Sequence, residues 1–427
     1  MPQLLIKNGR LLDPKTKCDE IADILIENER IVRVGKIVSE PSMNVIDATE
    51  KLVVPGIYDI HVHLRDLEQS HKETIETGTA AARRGGVTTV LAMPNTQPPL
   101  DRAERIREYQ QLIQANARVQ VYIAGGITRD LKNEALAELD SYPSLGIRVI
   151  SNDGWDVEGK ALLKAAYKKA KELGLLVMTH AEMMNMASGA PINDGPVASR
   201  LGVLGSPKAK EIDAIERAIE MAETLGTQLH LTHLSCEESV QLVREAKQRT
   251  ALITCDATPH HFSLTEDEVL RVGSQAKVNP PLRSESDRQA ILEGLEDDTI
   301  DAIITDHAPH HIREKTEDLM KSAFGFSGLE TLVASTLTEL YFHQDMDLMK
   351  IFAKMVVAPA RILGVPGNSL QEGNPADLAI IDLALEKTVD PDQFVSLGHN
   401  TPFRGKKLKG WPIATIVRGT SYKNFQF

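Results

Sequence analysis

Short apolar strands alternate with amphipathic helical stretches from Val54 to about Gly364, and this alternation limits the possible folds more than any other feature. The helical stretches include 159–173 and 209–225, where apolar residues recur at helical spacing. Eight strand patterns can be counted, beginning near Ile57, Val87, Val119, Ile147, Leu175, Leu229, Ala251 and Ala302. Eight successive βα units predict an α/β fold, a TIM-like (β/α)8 barrel whose active site lies at the carboxyl ends of the strands.

Further strand patterns occupy both ends of the chain. Three lie within the first fifty or so residues, and two lie near 376–382 and 413–419. Strands from both termini can pair when the chain ends lie close together. We therefore predict a small β-sandwich domain from residues 1–54 and 365–427, and a barrel domain from residues 55–364.

Composition excludes several classes of protein. A formal charge of −12 and a pI near 5.6 argue against binding to nucleic acid or to an anionic membrane. The N-terminal segment Met1–Lys7 has no signal-peptide pattern, and no apolar run is as long as a membrane span. Three scattered cysteines do not form a disulfide framework. These features predict a cytoplasmic protein.

Candidate metal ligands follow several of the predicted strands. Alternate side chains of an extended strand share a face, so His61, His63 and Arg65 should project together, with Ile60 and the next alternate residues facing the opposite layer. Asp306 follows the eighth strand. Two imidazoles and a carboxylate suit Zn²⁺ or a similar divalent ion, although the two histidines could also be ordinary strand residues.

A second ion is predicted from His180 and His233, which follow the fifth and sixth strands. Asp153 follows the fourth strand and is the candidate bridge between two ions. Metal lowers the pKa of bound water, so a bridging hydroxide would be available near neutral pH, and Asp306 could exchange its proton with a substrate nitrogen. The alternatives are a turn aspartate at 153 and two barrel-rim histidines.

Three other side chains at the strand ends are candidates for substrate recognition. Arg65 can bind a carboxylate through two parallel hydrogen bonds, and Asn95 can donate to the same anion. Asn279 lies in a loop fixed by two prolines, where its amide could bind the edge of a cyclic imide. A rim salt bridge and two plain turns are the alternatives. Residues 311–326 could form either a mobile lid or an ordinary surface loop.

Several motifs resemble signatures of the dihydroorotase family of the amidohydrolase superfamily, in its longer bacterial form. The resemblance runs nearly from end to end and implies a reversible, metal-dependent interconversion of N-carbamoyl-L-aspartate and L-dihydroorotate in pyrimidine synthesis. The motifs are Asp59–Arg65, Met93–Thr96, Lys277–Arg283, Asp306–His310, Gly328–Thr331 and Asn400–Phe403.

The resemblance assigns a role to each matching position. Asp306 is implied to be the catalytic general acid/base as well as a ligand of one or two zinc ions. The implied metal ligands are His61, His63, Asp153, His180, His233 and Asp306. The implied substrate contacts are Arg65, Asn95, Asn279 and His310.

This chain departs from the family pattern at three places. Asp66–Glu68 replaces an acidic residue followed by Pro-Gly, which leaves the geometry of that loop open. Asn152 stands where the family often has a second Asp. Many relatives bridge their metals with a carbamylated lysine, but position 148 is Arg and no Lys precedes Asp153 in its strand, so an Asp153 bridge is favoured.

Two other functions compete with the dihydroorotase reaction. A hydantoinase or allantoinase would act on a different cyclic amide, and Arg65, Asn95 and Asn279 argue against it because those substrates lack the same carboxylate. A non-catalytic scaffold that supports aspartate transcarbamoylase should lack metal ligands, whereas all are present here. We expect a small-molecule substrate and a homodimer, and an association with aspartate transcarbamoylase stays open.

Overall fold

The structure, a computed structural model, describes residues 3–424. Met1 and Pro2, which belong to the segment used for the localisation prediction, lie outside the described residues. The strands are β1 (Leu4–Asp13), β2 (Cys18–Glu27), β3 (Arg30–Gly35), β4 (Asn44–Asp47), β5 (Leu52–Pro55), β6 (Ile57–Val62), β7 (Val87–Ala92), β8 (Gln120–Gly126), β9 (Val149–Ser151), β10 (Leu176–Thr179), β11 (Ile192–Asn193), β12 (Gly205–Ser206), β13 (Leu229–Leu231), β14 (Ile253–Ala257), β15 (Ala302–Ile303), β16 (Leu378–Thr388), β17 (Lys407–Val417) and β18 (Thr420–Lys423).

Helices follow most of the barrel strands, as the alternation predicts. Two of them match the predicted stretches 159–173 and 209–225 to within a residue. No helix within residues 3–424 has both the length and the apolar composition needed to cross a membrane. The helices are α1 (Ile75–Arg84), α2 (Ala103–Asn116), α3 (Lys160–Leu173), α4 (Pro196–Leu201), α5 (Ala209–Leu225), α6 (Glu237–Arg249), α7 (Pro259–Ser263), α8 (Glu268–Val272), α9 (Glu285–Glu296), α10 (Leu332–Thr336), α11 (Leu348–Phe352) and α12 (Ala358–Leu363).

The central sheet is a parallel barrel, which confirms the predicted fold class. Its eight strands lie in the order β15-β14-β13-β10-β9-β8-β7-β6, and all eight correspond to predicted strands. A parallel bridge from Val62 to His307 brings the two edges together, and the His63 amide donates to the His307 carbonyl over 2.8 Å. Inside the barrel wall, the buried Asp59 carboxylate accepts the Thr305 amide over 3.2 Å. Burial raises the pKa of Asp59 to about 7.

The second sheet combines both ends of the chain, as predicted. Its strands lie in the order β18-β17-β16-β5-β1-β2-β3, with β4 paired to β1. The join is antiparallel, between β16 and β5, where Ile380 lies opposite Val53. Buried aliphatic side chains from β1, β2, β5, β16 and β17 form the core of this part. The division at residues 54 and 365 stays a prediction.

Gly85 lies so close to the backbone of Leu329 that it leaves no space for a side chain. It ends α1 with an ordinary φ of −79°, but a Cβ at this position would lie 2.1 Å from the backbone oxygen of Leu329. Because a backbone atom cannot rotate away, we expect Gly85→Ala to destabilise the protein by roughly 1–3 kcal/mol, visible as a lower Tm in thermal unfolding. Gly159→Ala is the control, because its Cβ would meet nothing closer than Leu162 Cβ at 3.7 Å. Equal Tm values for the two variants would contradict this account of the contact.

Candidate metal centre and active site

The six predicted metal ligands meet at one end of the barrel, and all are buried. The Nε2 atom of His61 lies 3.2 Å from Asp153 Oδ1 and 3.5 Å from Asp306 Oδ1. The Nε2 atom of His63 lies 3.1 Å from Asp306 Oδ1 and 3.5 Å from Asp153 Oδ2. Two histidines on one strand thus face two carboxylates that follow two other strands. Separations of this size suit a shared cation.

His180 and His233 lie next to each other, and the ring of His233 also lies close to that of His61, 5.2 Å between the ring centroids. The Nδ1 atom of His180 is 3.0 Å from His233 Nε2 and 3.9 Å from Asp153 Oδ1. His61, Asp153 and His233 together offer three ligand atoms within 4.8 Å of one another, as do His61, His63 and Asp306. His61 is common to both groups and Asp153 belongs to one of them, so the bridging role of Asp153 stays a prediction.

The unsatisfied polar atoms of this cluster fit a divalent cation. Within residues 3–424, His61 Nε2 and Asp153 Oδ1 are buried and lack a hydrogen-bond partner. A buried polar atom without a partner costs free energy, and each of these two can donate a lone pair to a metal. Nitrogen and oxygen donors from His and Asp are a ligand set for zinc and for other divalent ions.

The pKa values of the candidate ligands shift in different directions. Burial works against ionisation of Asp153, but His61 and His63 hold the pKa of its carboxyl well below the ordinary value. Burial lowers the pKa of His61, yet Asp153 and Asp306 bring that pKa up to about 9. For His233, burial and the charges of His180 and His61 hold the pKa well below its usual range. The cluster favours an ionised Asp153 beside imidazoles that cannot all be charged.

Hydrogen bonds fix the rings of the first two histidines. Thr232 Oγ1 lies 2.8 Å from His61 Nδ1, and Asn95 Oδ1 lies 2.8 Å from His63 Nδ1. Each ring therefore presents its other nitrogen, Nε2, to the carboxylates. Asn95 also donates from Nδ2 to Asp153 Oδ2 over 3.0 Å. The structure thus places Asn95, predicted as a substrate contact, against two candidate metal ligands.

The strand that carries these histidines departs from simple alternation. The register of β6 shifts between Asp59 and Val62, which is typical of a bulge. Val62 packs with the helices as alternation predicts, whereas Ile60 packs in a separate cluster with residues such as Leu91 and Met178 from other strands. The prediction that Ile60 faces the same layer as Val62 was therefore wrong.

Arg65 is buried next to this cluster and has an unusual environment. Its side chain forms no ion pair with a carboxylate within the described part of the chain, and its Nε atom lacks a hydrogen-bond partner. Burial lowers the pKa of Arg65, and the charges of Asp306 and Asp153 oppose that effect. Its Nη2 atom lies 3.5 Å from Nε2 of His310, which also approaches the Phe324 carbonyl at 2.7 Å. The arrangement suits binding of a ligand anion and does not fit the alternative of a rim salt bridge.

The loop after Arg65 replaces the missing Pro-Gly turn with left-handed backbone. Arg65, Asp66 and Leu67 have φ angles of 52°, 55° and 50°. Such angles are uncommon for residues other than glycine, so the surroundings must hold them in place. The Asp66 carboxylate accepts the amides of Leu67 and Ile75 over 2.9 and 3.0 Å. One acidic side chain therefore ties the turn to α1.

Asn279, the remaining predicted substrate contact, lies against residues that the sequence argument missed. Its Nδ2 atom is 2.9 Å from Glu182 Oε2 and 3.0 Å from His180 Nε2. Glu182 also forms an ion pair with Lys210. The spacing of Glu182, two residues after His180, was the available signal, since alternate residues of an extended segment share a side.

The segment 311–326 lies over the loop that carries Asn279. Lys315 is buried and donates to the carbonyls of Lys277, Ala323 and Gly325 over 3.3, 2.9 and 3.0 Å. Burial, with a smaller effect from Lys277, lowers the pKa of Lys315 to about 7. The bond to the Lys277 carbonyl joins the segment to the loop that carries Asn279, and the other two bonds lie within the segment. Its behaviour as a lid stays a prediction.

Solved structures of similar fold include hydantoinases and dihydropyrimidinases. An L-hydantoinase (dihydropyrimidinase) from Arthrobacter aurescens matches with a TM-score of 0.87 and 28% identity, covering 99% of this chain and 96% of that one. A dihydropyrimidinase from Brevibacillus agri matches with a TM-score of 0.86 at 22% identity, covering 100% and 96%, which bears on the fold alone. The barrel and its ligand cluster define a metal-dependent cyclic amidohydrolase.

Comparison with known sequences identifies the family to which this chain belongs within that class of enzymes. A family model described as dihydro-orotase-like matches residues 50–239. A dihydroorotase from Pelotomaculum thermopropionicum is 43% identical over 417 residues, covering 98% of this chain and 97% of the relative. A dihydroorotase from Listeria welshimeri is 39% identical over 416 residues, covering 97% of each. The chain belongs to the dihydroorotase family.

Thr232 tests whether the orientation of His61 matters for metal binding. Thr232→Val keeps the shape of the side chain but removes the hydrogen bond to His61 Nδ1, so we expect metal affinity to fall about 10- to 100-fold. Competition with a chromophoric zinc chelator measures this. Thr254→Val is the matched control, because Thr254 Oγ1 lies 2.8 Å from Nδ1 of His230, which is not among the candidate ligands. Parental affinity in Thr232→Val would show that this bond does not orient the ligand.

Proposed function

We propose that this chain is a dihydroorotase, which reversibly cyclises N-carbamoyl-L-aspartate to L-dihydroorotate. The observation that carries the choice of substrate is Arg65, a buried guanidinium without a carboxylate partner among residues 3–424, beside a cluster of metal-ligand residues. A buried cation of this kind is costly unless an anion completes it. The free carboxylate of dihydroorotate supplies that anion.

The metal would be held by side chains from five strand ends. His61, His63 and Asp306 would hold one zinc ion, His180 and His233 a second, and Asp153 would bridge them. When bound, zinc supplies Lewis acidity, which activates a water molecule and polarises an amide carbonyl. His61 Nε2 and Asp153 Oδ1, which are buried without hydrogen-bond partners among residues 3–424, support this assignment.

Asp306 is the proposed general acid/base. During ring opening its carboxylate takes a proton from the attacking water and delivers it to the ring nitrogen, whose bond to the carbonyl carbon breaks. During ring closure it takes the proton from the carbamoyl nitrogen as that nitrogen attacks the carbon of the protonated side-chain carboxyl, and it returns this proton to the departing hydroxyl, so that the C–O bond breaks and water leaves. The buried position of Asp306, 7% exposed, keeps the proton transfer away from bulk solvent.

Four side chains would position the substrate. Arg65 would bind the substrate carboxylate, and His310, within 3.5 Å of its guanidinium, would lie beside that anion. Asn95 contacts the cluster at His63, and Asn279 contacts it at His180. A substrate held between them would place its amide bond beside Asp306, which lowers the entropic barrier to reaction.

A hydantoinase activity is the second candidate, because the L-hydantoinase has the same fold. Hydantoin has no carboxylate for Arg65, so we expect kcat/KM for L-dihydroorotate to exceed that for hydantoin by several orders of magnitude. Assays of one zinc-loaded preparation on both substrates decide between the two. A homodimer, an association with aspartate transcarbamoylase and a cytoplasmic location stay predictions from the sequence.

Asp306→Asn tests the proton transfer. A neutral amide fits the same space but cannot accept the proton, so we expect kcat to fall by about 10²–10⁴ or more while the fold persists. Asp298→Asn is the control, because both aspartates have positive φ angles, 50° at Asp306 and 64° at Asp298, and Asp298 pairs with Lys354 away from the cluster. A kcat for Asp306→Asn within about tenfold of the parent would rule out this role.

Arg65→Lys tests recognition of the carboxylate. Lysine keeps the charge but loses the planar pair of donors, and a charge-assisted hydrogen bond contributes roughly 1.5–3 kcal/mol. We expect KM for dihydroorotate to rise about 10- to 100-fold, while Tm, zinc content and any activity on hydantoin stay near parental values. A fall in Tm with an unchanged KM would instead make Arg65 a structural residue.

A further inference from the structure

Glu182 is a buried carboxylate that lies beside both the candidate metal ligands and a candidate substrate contact. It follows β10, is 6% exposed, and lies two residues after His180. Its Oε2 atom is 3.2 Å from His180 Nε2 and 2.9 Å from Asn279 Nδ2, and its Oε1 atom is bound by Lys210 Nζ. One side chain therefore contacts a candidate metal ligand, a candidate substrate contact and a buried cation.

The geometry decides which nitrogen of His180 carries the proton. Nδ1 faces the cluster, 3.0 Å from His233 Nε2, so a metal in the cluster would take the lone pair of Nδ1. A neutral imidazole then carries its hydrogen on Nε2, which donates to Glu182 Oε2. Glu182 lies behind the ring, on the side away from Asp153, and so it acts through the ligand.

The same carboxylate also decides the orientation of the Asn279 amide. Once Nε2 of His180 is a donor, the 3.0 Å contact between it and Asn279 Nδ2 joins two donors that share the acceptor Glu182 Oε2. An ionised carboxylate only accepts, so the amide must turn Nδ2 toward Glu182. Asn279 then has its Oδ1 acceptor to offer to a ligand, which suits the N–H of a cyclic imide or amide.

Lys210 keeps this carboxylate in place. It is 8% exposed, next to the start of α5, and its ammonium binds the second oxygen of Glu182. The Met183 amide donates to the Lys210 carbonyl over 2.8 Å, so backbone as well as side chain joins the two segments. A carboxylate bound at both oxygens has little freedom to rotate, which is what a residue that orients its neighbours needs.

We propose that Glu182 is a positioning residue that fixes the metal-facing tautomer of His180 and the acceptor orientation of Asn279. Removal of its charge should therefore weaken metal binding and substrate binding together. The effect on metal affinity concerns the protein without substrate, whereas the effect on substrate rests on the proposed dihydroorotase function.

The test is Glu182→Gln. This change keeps the size of the side chain but replaces a carboxylate oxygen by an NH2 group, which donates, in a place where His180 and Asn279 both require an acceptor. We expect the metal-free protein to bind zinc about 10- to 100-fold more weakly, measured by chelator competition, because partners of this kind change metal affinity by that factor. At saturating zinc, KM for dihydroorotate should rise several-fold more than kcat falls. Glu266→Gln is the control, because Glu266 is also 6% exposed and accepts Asn193 Nδ2 over 3.2 Å, as Glu182 accepts Asn279.

Zinc affinity within about threefold of the parent in folded Glu182→Gln overturns the proposal, as does an equal loss in Glu266→Gln. If Glu182→Gln does not fold, Glu182→Asp makes the test, because its shorter side chain keeps the charge but cannot reach both partners and should also weaken zinc binding. Parental zinc affinity in folded Glu182→Asp overturns the proposal. Failure of the parent to turn over dihydroorotate would count against the proposed function and would leave the zinc comparison intact.

Discussion

The Asp153 carboxylate, buried among imidazoles, is the interaction on which the rest of the site depends. Its oxygens lie 3.2 to 3.9 Å from nitrogens of His61, His63 and His180, and one of those oxygens has no hydrogen-bond partner within residues 3–424. Buried charges require partners, and the low pKa of Asp153 keeps it charged. A divalent cation completes such a cluster. The parallel barrel allows this cluster of side chains to form, because residues that follow different strands converge only where the strands end at one rim.

Arg65, the proposed substrate-recognition residue, is also a buried charge that requires a partner, but its charge is positive. Arg65 is buried on a loop of left-handed backbone, held by the Asp66 carboxylate, and no protein carboxylate in the described chain pairs with it. A buried guanidinium without a carboxylate partner, beside a cluster of candidate metal ligands, is poorly explained by stability and well explained by an anionic ligand. A fold shared with hydantoinases is compatible with a different substrate, because function resides in the site and not in the fold.

The barrel strands and the metal-ligand cluster could be predicted because each depends on local pattern. Apolar runs predict strands, and a ligand directly after a strand must lie at the rim. The partners of those ligands could not be predicted in this way. Thr232 contacts His61 from 171 residues away, and Lys210 in α5 reaches Glu182 in the loop after β10, so only packing brings them together. The bulge that turns Ile60 away from its expected layer also has no signal in the alternation. The short β4 and β5 strands were missed because their pairing with β1 depends on distant backbone.

The most direct test is a zinc titration of protein stripped of metal by a chelator, with Tm and turnover of L-dihydroorotate measured at each addition. If the buried cluster is a metal site, Tm should rise as zinc fills it, because a ligand that binds only the folded state stabilises that state. Turnover should rise from near zero over the same range and level off at one or two equivalents per chain. A stripped protein with full activity, or one whose Tm and turnover do not respond to zinc or to another divalent ion, would contradict the account.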